Sequence, residues 1–351
     1  MKKITFCIPT AKNEKYYVGL LLDSMEKNFT SLEHEIIIFI DSDNQNTYEF
    51  LMNRDNKFKD FKVIKNPWPV PVSYQRNVNL MFELAKNDIV SMIQSDMVVG
   101  KNYDKEVLRH LKDKKTIISA TRVEPSLHPP SVEKYTQDFG LNPDEFDSVS
   151  FDNFVKSNIN YEKTTHYWFA PFTLYKQRWL EVGGHDTLFR RSREDSDILM
   201  RLRLNGCNMI QTWSALVYHF TCVSSRGKGW FKEENKSRTE LQQVADLFEM
   251  NKYHRKWKRF NHSAEPITTE QYVYKSSLYL KNCNTTMINH IIEISQFFDK
   301  VYIDDSETLN KTIQSLIYRT SNPANELIGY SDEHWDTYSK YFRMYDYEKI
   351  F

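Results

Sequence analysis

Short, wholly apolar runs alternate along this chain with stretches of helical periodicity, and that alternation limits its folds more than any other feature. Ile4-Thr5-Phe6-Cys7-Ile8 precedes Val18, Leu21, Leu22 and Met25 at helix spacing, and Glu35 to Ile40 is a continuous apolar run ending at Asp41. Such a run has no polar face to leave in water, so both faces of its sheet must be covered. Val63-Ile64, a helical stretch from Tyr74 to Ala85 and the run Ile89 to Ile93 continue the pattern. It predicts an α/β fold with a mostly parallel sheet and helices on both faces. Ligands of such sheets gather at the carboxyl ends of the strands.

Further along, residues 124–160 mix Pro, Asp, Asn and Ser with scattered aromatics and read as a substrate-side insertion. Trp168 to Tyr175 is strand-like, Arg193 to Leu204 helical, and Ala215 to Phe220 another strand, so a first domain is expected over 1–222. Residues 223–262 read as a lid or linker with a helical extension. A small C-terminal α/β unit is expected over 263–351, from strands at Tyr272–Leu280 and Val301–Ile303 and helices at Met287–Phe298 and Leu309–Tyr318. No motif assigns it a role.

Composition removes several function classes. Lys+Arg 47 balances Asp+Glu 47, so nothing favours a general polyanion partner, and no nucleic acid is expected. Only nine glycines are present, and Gly227-x-Gly229 has Lys232 where a dinucleotide fingerprint needs its third glycine. The four cysteines form no C-x-x-C pair, against structural zinc or a disulfide framework and in favour of a reducing compartment. Ile4 to Ile8 is too short for a signal segment and no later run is long enough to span a membrane, so a cytoplasmic location is expected. The basic and aromatic stretch 253–260 could contact an anionic membrane surface peripherally, although such a segment is more often a solvated helix end.

Acidic residues at element ends carry the chemistry. Asp41 and Asp96 each follow an apolar strand, so in a parallel sheet both emerge at one edge, where a single site can use them. Turn chemistry is the alternative for each, because Asp commonly ends a strand by bonding nearby backbone. Asp195-Ser196-Asp197 opens a helix, where the positive dipole end favours an ionised carboxylate and where capping is the plainer role. Tryptophans 168 and 179 with Phe169 and Phe172 suit either sugar stacking or a core, the latter being commoner.

Five segments in order resemble glycosyltransferase family 2, inverting nucleotide-sugar enzymes of the GT-A fold. They are Ile8-Pro9-Thr10 with Lys12-Asn13-Glu14, Ile38 to Asp43, Ser73-Tyr74-Gln75-Arg76-Asn77, Ile93 to Met97 at the place of the D-x-D motif, and Val182 to Asp186 followed by Arg193 to Ile198. The resemblance covers residues 3–222 and implies transfer of a sugar, from a UDP-sugar, to a hydroxyl acceptor such as a glycan, with inversion. By the same resemblance Asp96 and His219 hold Mn²⁺ or Mg²⁺, while Gln94 stands where the family carries an acid. Donor binding falls to Pro9, Thr10, Glu14, Asp41, Asp43, Arg76, Ser95 and Gly184, with Arg226 and Lys228 on a lid that Trp230 completes; a plain linker is the alternative there. Asp195 is the implied base and Glu194 its neighbour on the acceptor. A retaining enzyme of the GDP-mannose type and a non-catalytic sugar-nucleotide or glycan-binding protein stay open, the second because of Gln94.

Overall fold

A computed structural model describes residues 2–67, 71–126, 130–187, 189, 193–221, 253, 256, 277–295, 300–319, 326–329 and 345–346. Contacts divide the chain into two units, Met1–Arg190 with Asp197–Phe231, and Arg191–Ser196 with Lys232–Phe351. The first unit opens β1 (Ile4–Thr10), α1 (Lys15–Asn28), β2 (Glu35–Ile40), α2 (Thr47–Met52), β3 (Asp60–Lys65), α3 (Tyr74–Leu84), β4 (Ile89–Met92), β5 (Met97–Val99) and α4 (Tyr103–His110). It continues through β6 (Thr116–Glu124), β7 (Tyr135–Thr136), α5 (Ser148–Asn158), β8 (Thr164–Thr165), β9 (Phe172–Tyr175), α6 (Lys176–Glu181), α7 (Glu194–Leu204) and β10 (Asn208–His219). The first three residues of α7 cluster with the second unit.

The main sheet has the order β3-β2-β1-β4-β9-β6-β10-β5, with β7 beside β6 and β8 beside β10. Strands β3, β2, β1 and β4 run parallel, β9 is antiparallel to both its neighbours, and β10 is parallel to β6 but antiparallel to β5. Alternation along β1 and β2 explains the two covered faces. Ile4, Phe6, Ile8, Ile36, Ile38 and Ile40 join one core with Val18, Leu21, Leu22 and Met25 of α1, and Cys7, Ile37 and Phe39 join the other with Val78, Met81 and Phe82 of α3. The aromatics of the β9 region belong to the second core: Phe172 stacks between Trp168 and Trp179, at 4.8 and 5.8 Å.

Several boundaries differ from the sequence reading. Strand β1 runs through Pro9, because β4 pairs with it only as far as Cys7 and the proline meets β2 alone. Strand β4 stops at Met92, and β9 begins only after Pro171. The stretch 124–160 holds β7, a 3₁₀ turn at Pro143–Glu145 and α5. β10 starts at Asn208 because its polar residues are buried and bonded: Gln211 Nε2 donates to Thr121 Oγ1 and to the Glu133 carbonyl, at 3.1 and 2.7 Å.

In the second unit, β11 (Ser277–Lys281), α8 (Ile288–Ser295), β12 (Lys300–Ile303), α9 (Ser306–Arg319), β13 (Glu326–Gly329) and β14 (Tyr345–Asp346) form a parallel sheet of order β13-β12-β11-β14. Asp304 accepts from the Asn282 and Cys283 amides, and Asp305 from Thr308 N at the start of α9, so this acidic pair does turn chemistry. The expected helix over 230–260 lies outside the described residues except for Tyr253 and Lys256. Among the described residues no helix is long and apolar enough to cross a membrane, and Cys7, Cys207 and Cys283 are free and buried.

One buried acid ties the amino edge of the sheet. Asp104 accepts from Thr30 N, Thr30 Oγ1, Ser31 N and His34 Nε2, while His34 Nδ1 accepts from Ile4 N at the start of β1. Burial opposes its ionisation, but the His34 and Thr30 bonds outweigh that and hold the carboxyl below the usual aspartate range. A depressed folded pKa contributes stability above the ordinary value near 3.8 and loses it as pH falls through the folded value. Asp104→Asn is therefore expected to cost about 2 kcal/mol at pH 7. The gap to wild type should narrow below about pH 3.8, checked by denaturant unfolding across the acid range.

Candidate active site

Three strand ends meet at one point of the carboxyl edge. β10 ends at His219 beside the last residue of β6, Glu124, and on its other side His219 pairs with Met97, the residue after Asp96. His219 Nδ1 lies 2.7 Å from Glu124 Oε1, and Nε2 lies 3.6 Å from Asp96 Oδ2. All three residues are buried. Glu124 also accepts from Lys134 Nζ at 2.5 Å and Arg122 Nη1 at 3.5 Å. Burial pushes its carboxyl up, yet the His219, Arg122 and Lys134 contacts prevail and hold it far below the usual range.

An ionised carboxylate can only accept, so Nδ1 of His219 donates to Glu124, and Nε2 is the nitrogen turned toward Asp96. At 3.6 Å the two atoms can pair directly, or a cation between them could take one ligand from each. The donor set, one carboxylate oxygen and one imidazole nitrogen, fits Mn²⁺ or Mg²⁺ with further oxygen ligands. Among the described residues no group of three or more His, Cys, Asp or Glu side chains is arranged to hold a metal by itself. Any ion here would take its remaining ligands from elsewhere.

The loop between β4 and β5 lies against the start of α1. Glu14 Oε2 accepts from Ser95 Oγ at 2.6 Å and from Ala11 N at 2.8 Å, which fixes the turn carrying Asp96. Tyr17, one turn into α1, is pushed up to about 12 by burial and then by the nearby Asp96 and Glu14 charges. Thr10 Oγ1 and Gln94 Oε1 are buried and have no hydrogen-bond partner among the described residues. Pro9 is buried within β1. These atoms suit contact with a polar ligand at this edge.

Asp41 and Asp43 follow β2, and backbone groups occupy both. Asp41 accepts from Val72 N at 2.8 Å, Ser73 N at 3.2 Å and Asn66 Nδ2 at 3.2 Å, so it shapes the entry to α3. Asp43 accepts from Thr47 N, Tyr48 N and Gln45 N; burial opposes its ionisation, but these bonds prevail and hold it below the usual range. Arg76 is exposed on α3.

The family model described as Glycosyl transferase family 2 matches residues 5–184, just over half of the chain. The chain belongs to glycosyl transferase family 2. Its mixed sheet has the GT-A fold. No curated protein matches it. A mannosyltransferase from Pyrobaculum calidifontis, in complex with GDP-Man and Mn²⁺, is 12% identical with a TM-score of 0.50, over 92% of this chain and 77% of that one. GalNAc-T7 with UDP, GalNAc and Mn²⁺ is 13% identical with a TM-score of 0.48, over 77% of this chain. This chain spans about half of GalNAc-T7, 53%. S. aureus TarS 1–349 in complex with UDP is 13% identical with a TM-score of 0.44, over 84% of this chain and 80% of that one.

In this family 2 chain Gly184, expected to bind the donor, has a packing role of its own. Gly184 has a φ of +66°, and a Cβ there would strike Asn79 Oδ1 and Trp179 Nε1. Asn79 Oδ1 accepts from Trp179 Nε1 at 3.2 Å and from His185 N at 2.8 Å. Arg201 donates to the Val182 and Gly184 carbonyls and pairs with Asp197 at 2.7 Å, so Arg201, held by Asp197, anchors this turn to α7. Glu194 and Asp195 begin α7; Asp195 is exposed, and its Oδ1 accepts from Ser196 N at 2.6 Å. Arg226, Lys228 and Trp230 lie outside the described residues.

Glu124, Lys134 and Arg122 are the site residues that sequence reading missed. Their signal is slight: Thr121 and Val123 carry β6 on past Ala120, and an acid closes the strand much as Asp41 follows β2. Gly184→Ala is expected to lower stability by about 2 kcal/mol or more, combining backbone strain with the clash. Gly183→Ala, with φ +78° but open space around its Cβ, should cost about half that. Thermal unfolding of both variants checks the order.

Proposed function

We propose that this chain moves a sugar from a UDP-sugar to a hydroxyl of a carbohydrate acceptor, with inversion and with a divalent cation. The observation that supports this most is the buried Asp96–His219 pair at the carboxyl edge of a family 2 chain, with Nε2 and Oδ2 3.6 Å apart. Asp96 and His219 would hold Mn²⁺ or Mg²⁺, and the ion would neutralise charge developing on the departing diphosphate. Ser95 and Glu14 keep the Asp96 turn in place for it. Thr10 and Gln94 offer buried polar atoms to the donor, and Arg76 offers a guanidinium fork suited to phosphate or base. Asp41 and Asp43 contribute by building the loop walls on the nucleoside side.

Asp195 is the proposed base. It takes the proton of the acceptor hydroxyl as that oxygen bonds to the anomeric carbon, the bond to the diphosphate oxygen breaks, and the nucleoside diphosphate leaves. Glu194, next to it, orients acceptor hydroxyls. A lid over 221–230 and membrane contact through 253–260 belong to the same proposal, the first resting on two cations and two glycines directly after β10.

Thermal unfolding with UDP-, GDP-, CMP- and dTDP-sugars, with and without Mn²⁺, tests the donor half. A UDP-sugar with Mn²⁺ at a hundredfold excess over Kd should add about 2.7 kcal/mol of stability, and Asp96→Ala should abolish the shift. Stabilisation by GDP-sugars alone would move the donor to the mannose type, and none by any nucleotide would leave a glycan-binding protein. With a donor in hand, Asp195→Asn should lower kcat about 10²- to 10⁴-fold while the donor-dependent shift survives. An NMR assignment of retained anomeric configuration in the product would overturn inversion.

A further inference from the structure

We infer that Glu124 is a positioning residue for the cation site, setting which nitrogen His219 presents. The inference rests on the proposed role of Asp96 and His219 as cation ligands. An imidazole can serve a metal through Nε2 only if its hydrogen sits on Nδ1, and a free ring in water favours neither arrangement strongly enough to guarantee it. Here the choice is made by the fold. Glu124 Oε1 stands 2.7 Å from Nδ1, fixed by its place at the end of β6, one strand over from His219.

The charge of Glu124 is largely balanced by other groups. Lys134 Nζ meets its second oxygen, Oε2, at 2.5 Å, and Arg122 Nη1 is 3.5 Å from Oε1. Arg122 is itself held, its Nε donating to the Ala170 carbonyl at 2.5 Å and its guanidinium lying 4.9 Å from the centre of the Phe169 ring. With two cations facing it, Glu124 influences the site less by adding negative charge than by supplying an acceptor in a fixed place. One oxygen orients the histidine while the other is held by lysine. Carboxylate–histidine–metal arrangements of this kind usually affect metal affinity 10- to 100-fold when the outer partner is lost.

The test is Mn²⁺ binding to the full chain in the presence of UDP, followed by electron paramagnetic resonance of free Mn²⁺, with unfolding temperature measured in parallel. Glu124→Ala should weaken Mn²⁺ about 10-fold or more. The double variant Glu124→Gln with Lys134→Met keeps an acceptor oxygen facing both Arg122 and His219 while removing the ion pair behind it. It should bind Mn²⁺ within about threefold of wild type even where its stability falls as far as that of Glu124→Ala. Equal loss in both variants, or no loss in Glu124→Ala, overturns the inference while leaving the cation reading intact. Wild type that binds no Mn²⁺ overturns the cation reading, and the inference with it. Should Glu124→Ala fail to fold, ¹⁵N spectra of metal-free wild type at pH 8 decide: an Nδ1–H tautomer at His219 is expected, and an Nε2–H tautomer overturns the proposal.

Discussion

The site depends on the register of β10. Where the strand begins, Thr212 faces Ala120 of β6, but the next paired residue of β6, Thr121, faces Leu216. Trp213, Ser214 and Ala215 are taken up in a bulge, held by the Thr212 and Ser214 hydroxyls at 2.8 Å from each other and by Trp213 Nε1 on Thr165 Oγ1. Were the pairing to continue without that bulge, Leu216 would come level with Glu124. With it, His219 does, and the antiparallel pairing to β5 then sets the same histidine beside Asp96. Side chains alternate faces along a strand, so even a slip of one residue would turn the imidazole away.

The acids at element ends sort by what they bond. Asp41, Asp43, Asp104 and Asp305 all accept backbone amides, and Asp197 pairs with an arginine that anchors a turn. Each is accounted for by the architecture it stabilises. The Asp96 carboxylate takes no backbone amide among the described residues; its own carbonyl is bonded by Phe220 N and its side chain faces His219. A buried carboxylate that builds no turn and faces an imidazole is the one among these acids that the turns of the fold do not use, which is why it carries the proposed site. The same contrast separates Glu124, which receives three cationic or imidazole donors, from Glu14, which receives a hydroxyl and an amide.

Burial makes this arrangement durable. The strands under the edge are fully enclosed, so the edge cannot relax without exposing two cores at once. Each of the site's three strand ends is tied to a different part of the chain: β5 to the turn that Glu14 holds, β6 to Lys134 and β7, and β10 to its bulge. Fixed geometry of this kind suits electrostatic catalysis, because groups already in place need not reorganise when charge develops.

Much of this was legible from residue order. Short apolar runs such as Ile36–Ile40 alternating with helical spacing point to enclosed strands of a parallel sheet, so the fold class, the carboxyl edge and the candidacy of Asp96 follow from local pattern, whereas His219 entered only through the family resemblance. The same pattern could not rank Asp41 against Asp96, since both follow apolar strands and only their backbone partners, Val72 and Ser73 for one and none for the other, tell them apart. It missed Glu124 because Thr121 and Arg122 interrupt the apolar run of β6, and it began the last strand only at Ala215 because Gln211 and Thr212 before it are polar. Those polar residues are buried only because partners distant in sequence satisfy them. Periodicity is a local property and fixes which segments are strands; register, bulge and hydrogen-bond partner are properties of two strands at once, and they alone decided which acid faces the histidine.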